Sequence, residues 1–269
     1  MHSSSDKNRI VILCGPGLHH LHTCATLIRS NLNVVGICVA DQRTAGIPLR
    51  YLLKSFKRKG IWPTMSRSLA RLLYLAFNRR QDLAAYERLF NRRETEDTLQ
   101  PFADRVYRTD DYSSPATLAW LEQQDADIFV AHTGYWIGKK VRDLPKKGIV
   151  LGGHPGITPD YRGSHSAFWA VYFRKPEDVG CTAFLLDSGV DTGDVVAQAR
   201  IPVEKGDSFV TLSWKGMIRI AELQAEALRN LDEGRELPRR KVTARPGTEF
   251  DNPTIGEYFR YRTRQQLVR

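Results

Sequence analysis

RIVILCGPGLHHLHTCATLIRSNLNVVGICVADQ, residues 9–42, decides the fold class. It opens with a short apolar run rich in β-branched residues that Gly15-Pro16-Gly17 stops, which reads as a buried strand. Leu21, Cys24, Ala25 and Ile28 follow at helical spacing, and residues 33–42 read as a second buried strand. Strand, helix and strand in one short span make a βαβ unit, which favours a parallel sheet. The turn CGPGLHHLH lacks the G-x-G-x-x-G spacing, so a dinucleotide-binding reading is weak. His19, His20 and His22 leave a helix start in different directions, and no Cys or acid completes a ligand set, so no metal site is expected.

The same alternation of strands and helices continues outward. ADIFVAHTG (126–134) and GIVLGGH (148–154) read as buried strands that each end in a glycine-containing turn. Residues 114–124 begin with a Ser-Pro helix entry. Residues 179–204 look strand-like on both sides of the Gly/Asp-rich loop DSGVDTGD. Residues 209–234 form a long amphipathic helix closed by Gly234. The last stretch has little periodicity, with a final helix over 255–267. From about 46 to 104 the pattern is helical in two pieces: Leu69, Leu72, Leu73 and Ala76 fall at i, i+3, i+4 and i+7, and DLAAYERLFNRR (82–93) makes the second. The expected fold is therefore α/β, with a Rossmann-like, mostly parallel sheet flanked by helices, a basic helical insertion and a short C-terminal tail.

The chain has 269 residues and a formal net charge of +10. From Lys54 to Arg93 there are eleven Lys or Arg and two acids, so this stretch carries almost the whole excess. The stretch from Arg235 to Arg269 adds nine basic residues against four acidic ones. Such concentration implies an anionic partner: a phosphate-bearing substrate, a nucleic acid or a membrane surface. The alternative is a solvated helical face. The polar start MHSSSDKNR has no signal-peptide pattern, and the longest apolar run is broken by Arg71, well short of the roughly 20 residues of a membrane span. A cytoplasmic protein is expected, with Cys14, Cys24, Cys38 and Cys181 as free buried thiols.

Chemistry concentrates in LGGHPGITPDYRG, residues 151–163. His154 follows a strand, so it lies at a carboxyl end of the sheet, where open α/β sheets bind ligands. Asp191 lies in a loop after another strand. A carboxylate that reaches a histidine fixes its tautomer and stabilises its charged form, which suits proton transfer or oxyanion stabilisation.

HPGITPDYRGSHSAFWAV followed by VGCTAFLLDSGVDTGDVVAQARIPV resembles the catalytic core of the 10-formyltetrahydrofolate-dependent formyltransferases, which include glycinamide ribonucleotide, methionyl-tRNA and sugar N-formyltransferases. The family pattern is Asn-x-His-Pro, Leu-Pro-x-x-Arg-Gly, a Trp, and Asp-x-Gly-x-Asp-Thr-Gly. Here the elements are His154-Pro155, Pro159 with Arg162-Gly163, Trp169, and Asp187, Gly189, Asp191, Thr192 and Gly193. The clear match covers about residues 125 to 210, and the family does not explain about 45 to 105.

The resemblance implies a catalytic domain over 1–235, with the insertion at about 46–104, and a C-terminal extension over 236–269. It implies 10-formyltetrahydrofolate as co-substrate and a small amine as acceptor. His154 and Asp191 would be catalytic. Thr133, Gly134, Tyr135, Gly152, Arg162, Asp187, Gly189, Val190 and Thr192 would bind the substrates. The family's Asn falls on Gly152, which removes one oxyanion donor; His132, Thr133 and Ser164 are the candidates to replace it. A nucleotide-linked amino sugar fits the basic stretch as acceptor. The methionyl-tRNA substrate fits less well, because those enzymes carry a separate C-terminal β-barrel domain. Hydrolysis of the formylfolate, and a folate- or nucleotide-binding protein that lost its chemistry, are the alternatives. The C-terminal tail is a candidate homodimer contact.

Overall fold

The computed structural model describes residues 7–41 and 60–267. The first part of the expected insertion, residues 46–59, lies outside the described residues. In chain order the elements are β1 (Ile10–Cys14), α1 (Leu18–Arg29), β2 (Val34–Ala40), α2 (Ile61–Leu89), α3 (Arg92–Leu99), β3 (Val106–Thr109), α4 (Pro115–Gln123), β4 (Ile128–His132), α5 (Lys139–Arg142), β5 (Ile149–His154), β6 (Arg162–Gly163), α6 (Ser166–Tyr172), β7 (Gly180–Leu185), β8 (Val195–Arg200), α7 (Phe209–Asp232), β9 (Glu249–Phe250) and α8 (Ile255–Leu267).

The main sheet has seven strands in the order β3-β2-β1-β4-β5-β7-β8. The pairs β3-β2, β2-β1, β1-β4 and β4-β5 are parallel, while β5-β7 and β7-β8 are antiparallel. The central strands are apolar throughout because both of their faces are covered. Along β1, Ile10 and Ile12 face the layer of α1 and α7, where they meet Leu27 and Leu228. Val11 and Leu13 face the opposite layer, with Tyr112, Leu121 and Phe129. All four cysteines are free and buried.

Two features depart from the sequence expectation. The helical periodicity of 67–76 and 82–93 belongs largely to one 29-residue helix, α2, because Asn78 to Gln81 supply polar residues without a breaker. Its inner face is anchored by a buried carboxylate: Asp82 accepts hydrogen bonds from the Tyr74 hydroxyl and, at 2.7 Å, from Ser208 Oγ. Burial raises the Tyr74 phenol far above its ordinary range, so it remains a donor. Ser208 also caps α7 through Thr211 in a reciprocal capping box. The second departure is β3, an edge strand of four residues with the sequence VYRT, too short to carry a clear alternation.

The C-terminal segment folds back onto the chain. β9 pairs with β6, and the ring nitrogen of Trp169 donates to the Asp251 carbonyl at 3.1 Å. On α8, Tyr258 and Tyr261 are buried against Tyr74, Phe168 and Phe209. The basic C-terminal stretch therefore lies beside α2, the other basic part of the chain.

His132 ends β4 under the sheet, beside Gln224 of α7. Burial lowers its pKa to about 4 against an ordinary 6.5, a shift that the Gln224 contact only partly opposes. The unfolded chain binds a proton on this residue below about pH 6.5, and the folded chain resists doing so. Stability should therefore be full above that pH and fall by about 3 kcal/mol as the pH drops to 4. A His132→Gln variant should flatten that acid limb in a series of thermal melts between pH 4 and 7.

Candidate active site

The parallel strands β1, β4 and β5 end on one edge of the sheet, and a cavity of about 530 Å³ opens there. Three segments form its wall. Thr133, Gly134 and Tyr135 follow β4; Gly152 and His154 close β5; Asp187, Gly189, Val190 and Asp191 come from the loop between β7 and β8. Nine of the eleven residues singled out from the sequence line this cavity. The other two stand behind it. Arg162 is buried and donates to the Val190 carbonyl at 3.0 Å and to Thr248 Oγ1 at 3.3 Å. Thr192 donates to the Asp187 carboxylate at 2.7 Å, which also accepts from Gly189 N at 2.9 Å. Both therefore shape the loop rather than face the cavity.

His154 is 6% exposed. Its Nδ1 lies 3.3 Å from Asp191 Oδ2. Its Nε2 lies 2.9 Å from the Tyr161 carbonyl and 2.8 Å from Ser166 Oγ. Asp191 lines the cavity, whereas Tyr161 and Ser166 do not, so the Nδ1 edge of the ring is the one turned towards the cavity.

This set of partners accommodates both charge states. With a neutral ring, Nδ1–H donates to Asp191 and Nε2 accepts from the Ser166 hydroxyl. With a proton on both nitrogens, Nε2–H donates to the Tyr161 carbonyl, and the Ser166 hydroxyl turns to the same oxygen, 3.2 Å away. Neither state leaves a buried donor unpaired, as a side chain that takes up and returns a proton requires.

Asp191 is itself held in place. Its backbone adopts φ 52°, a left-handed conformation uncommon for a non-glycine residue. Its Oδ2 accepts from Gly163 N at 2.9 Å. Strain of this kind persists where surrounding bonds over-determine it, here the turn at Arg162-Gly163 and the Arg162 bond to the preceding residue, Val190.

The glycines before His154 are explained by close approach on the two faces of β5. A Cβ on Gly152 would lie 2.9 Å from Leu186 Cγ, on the cavity side. A Cβ on Gly153 would lie 2.2 Å from Ile220 Cγ2 of α7. Leu186 thus occupies the space that a side chain at position 152 would need. Of the three proposed replacement donors, Thr133 and Ser164 line the cavity or its wall, and His132 does not. Thr133 Oγ1 accepts from Tyr135 N at 3.1 Å, and its hydroxyl also meets the Tyr112 hydroxyl. Sequence reasoning did not find Tyr161, Ser166, Leu186 or Thr248. Tyr161 contributes its carbonyl, Leu186 its packing, and Ser166 and Thr248 their hydroxyls, and no residue spacing marks those.

The histidines of α1 serve the scaffold. His19 meets the Tyr86 hydroxyl of α2 at 3.0 Å, and His22 Nδ1 meets Thr95 Oγ1 of α3 at 3.1 Å. Among the described residues, no group of three or more His, Cys, Asp or Glu is placed to hold a metal.

Comparison with known proteins places the chain in a family. A methionyl-tRNA formyltransferase from Synechococcus sp. (strain JA-3-3Ab) is 35% identical over 125 residues, 46% of this chain and 38% of that protein. One from Caldanaerobacter subterraneus subsp. tengcongensis is 30% identical over 130 residues, 48% and 41% of the two chains. The chain thus spans about two-fifths of the length of these curated relatives. Among solved structures, glycinamide ribonucleotide transformylase 1 from Symbiobacterium toebii superposes with a TM-score of 0.58 at 14% identity, covering 91% of this chain and 97% of that one. A sugar N-formyltransferase from Shewanella sp. FDAARGOS_354 gives 0.55 at 12% identity, covering 96% and 87%. At those identities the two structures share the fold. The formyl transferase family model matches residues 81–228, more than half of the chain, from the last turns of α2 into α7, and the match includes His154 and Asp191. The chain belongs to the formyl transferase family.

Proposed function

We propose that the protein is an N-formyltransferase that moves the formyl group of 10-formyltetrahydrofolate to the amine of a small anionic acceptor, such as a nucleotide-linked amino sugar. The observation that carries this reading is the His154–Asp191 pair at the carboxyl edge of the sheet, facing a cavity between Tyr135 and the 187–191 loop. That cavity joins glycine backbone and the side chains of Tyr135, Ile137, Phe184 and Leu186 with a few polar groups, Thr133, Asp187 and Asp191 among them, which suits a pterin ring. The donor supplies an activated formyl carbon whose bond to N10 breaks as the bond to the acceptor nitrogen forms.

The residues do the rest. The one Nδ1 hydrogen of His154, held by Asp191, can be shared with the formyl oxygen as charge develops, with the Thr133 hydroxyl as a second donor. Asp191 holds the ring and is the nearest base for the proton released by the attacking amine. That proton ends on the departing N10, so no net proton is consumed. Gly163 N keeps the carboxylate oriented through the cycle.

An anionic acceptor is supported by a second cavity of about 380 Å³ on the far side of Ser164. It is lined by Arg67, Arg71 and His165 and by no acidic residue. The Arg67 guanidinium lies 3.7 Å from Asp251 through Nη2 and donates from Nε to the Asn252 carbonyl, while its buried Nη1 has no hydrogen-bond partner and is open to an acceptor oxygen.

The test is release of tetrahydrofolate from 10-formyltetrahydrofolate, with and without a small-molecule cell extract. Extract-dependent release that His154→Ala abolishes supports transfer. Release without extract indicates hydrolysis. Donor binding without release in either case would overturn the reading in favour of a binding protein.

A further inference from the structure

We propose that the outer face of α2, with the adjoining part of α8, docks on the surface of an anionic lipid bilayer. This inference stands independently of the acceptor's identity.

The inner face of α2 is buried through Ala70, Tyr74 and Ala85. A surface helix normally turns polar residues the other way. Here Trp62, Met65, Leu69 and Leu72 recur every three or four residues on the outer face and are 81%, 55%, 49% and 64% exposed. Four large apolar side chains in one row exceed the scattered single residues of an ordinary surface. Arg79 and Arg80 continue this face, and by sequence Lys54, Lys57, Arg58 and Lys59 stand directly before the helix. From α8, Ile255 lines a groove with Trp62, Leu69 and Leu72, and Arg262 stacks over Phe77 of α2 at 4.6 Å. The fold thus brings part of the C-terminal basic stretch beside this helix.

This combination selects among occupants. A nucleic acid would use the cations and leave Trp62 and Leu72 in water. A second copy joined by two-fold symmetry would lay the same positive face against itself. No helix among the described residues is long and apolar enough to cross a membrane. A bilayer surface takes both features, since apolar side chains enter the headgroup–acyl boundary while Arg and Lys meet anionic headgroups.

The experiment is vesicle flotation of the full chain with phosphatidylcholine vesicles and with 3:1 phosphatidylcholine–phosphatidylglycerol vesicles. Binding to the anionic vesicles should exceed binding to the neutral ones about tenfold or more, and should weaken in high salt. Replacing Trp62, Leu69 and Leu72 together by Ser should lower partitioning about 100-fold, while the thermal melt and donor binding stay unchanged. Arg79→Gln with Arg80→Gln should lower it about tenfold on anionic vesicles alone. The proposal is overturned if the wild type ignores anionic vesicles or if the triple variant binds them equally. It is also overturned if sedimentation shows a dimer that the triple variant dissociates, because the face then belongs to a second copy.

Discussion

His154→Ala is expected to lower formyl transfer by about 10³-fold at saturating donor, with donor affinity changed only a few-fold. A positioned acid–base group contributes about 10²–10⁴ in rate. The ring also donates towards the developing oxyanion, and loss of one such donor costs on the order of 10²–10³. The two roles belong to one residue, so their losses overlap rather than multiply. Donor affinity should persist because in the proposed mode the pterin meets Tyr135 and the 187–191 loop, while His154 is only 6% exposed. Asp191→Asn is the sharper companion. It keeps the size of the side chain and an oxygen for Gly163 N, and removes the charge beside Nδ1. The amide can present its NH₂ to the ring and reverse the tautomer, so a loss of about 10²–10⁴ is expected. Single-turnover rates with a titration of bound folate separate the two quantities. Equal losses in rate and affinity would show that the pair binds rather than reacts.

Gly152→Asn is expected to reduce activity by about 10²-fold, although it restores the residue of the family pattern. The reason is steric. The new Cβ would meet Leu186 Cγ at 2.9 Å, and that atom is a branch point close to the backbone, not the end of a flexible chain. Leu186 N is tied to the Val150 carbonyl at 2.8 Å, so the strand cannot easily draw back. Forcing an extra side chain into such a contact typically costs about 1–3 kcal/mol and displaces its neighbours. Here the displaced neighbour leads directly into the 187–191 loop. Adding Leu186→Ala to Gly152→Asn should restore most of the lost rate, because it empties the contested space. A single Gly152→Asn variant that gained activity would instead mark the native site as one lacking a donor that nothing has replaced.

The fold class was legible because the βαβ signal of residues 9–42 depends on local patterning, and the central strands are apolar on both faces. The candidate site was legible where glycines, a histidine and acids crowd the ends of strands. What the sequence hid depends on contacts between distant residues. Nothing near Arg162 announces that it supports Val190 from behind, and nothing in Thr248 announces that it meets Arg162. The break read between the two pieces of α2 reflected polar residues at 78–81, yet polarity alone does not end a helix when no Gly or Pro is present. β3 escaped because four residues on a sheet edge carry too little alternation to separate from loop. The outward apolar row of α2 has the spacing of a core stripe, and only the packed structure shows that the buried face is the opposite one.

The pairing of β9 with β6 has a consequence for the order in which the molecule is completed. Arg162 N donates to the Thr248 carbonyl and Ser164 N to the Phe250 carbonyl, so the turn that steadies Asp191 is closed by residues 86 positions downstream of the turn. A nascent chain that has emerged through α7 already contains every strand of the main sheet, His154 and Asp191. It still lacks the clamp that fixes the carboxylate in its left-handed conformation. During synthesis, domains assemble from the N-terminal side as the chain emerges. The sheet can therefore form before the turn that steadies Asp191 is closed, and that closure waits for residues 248–252.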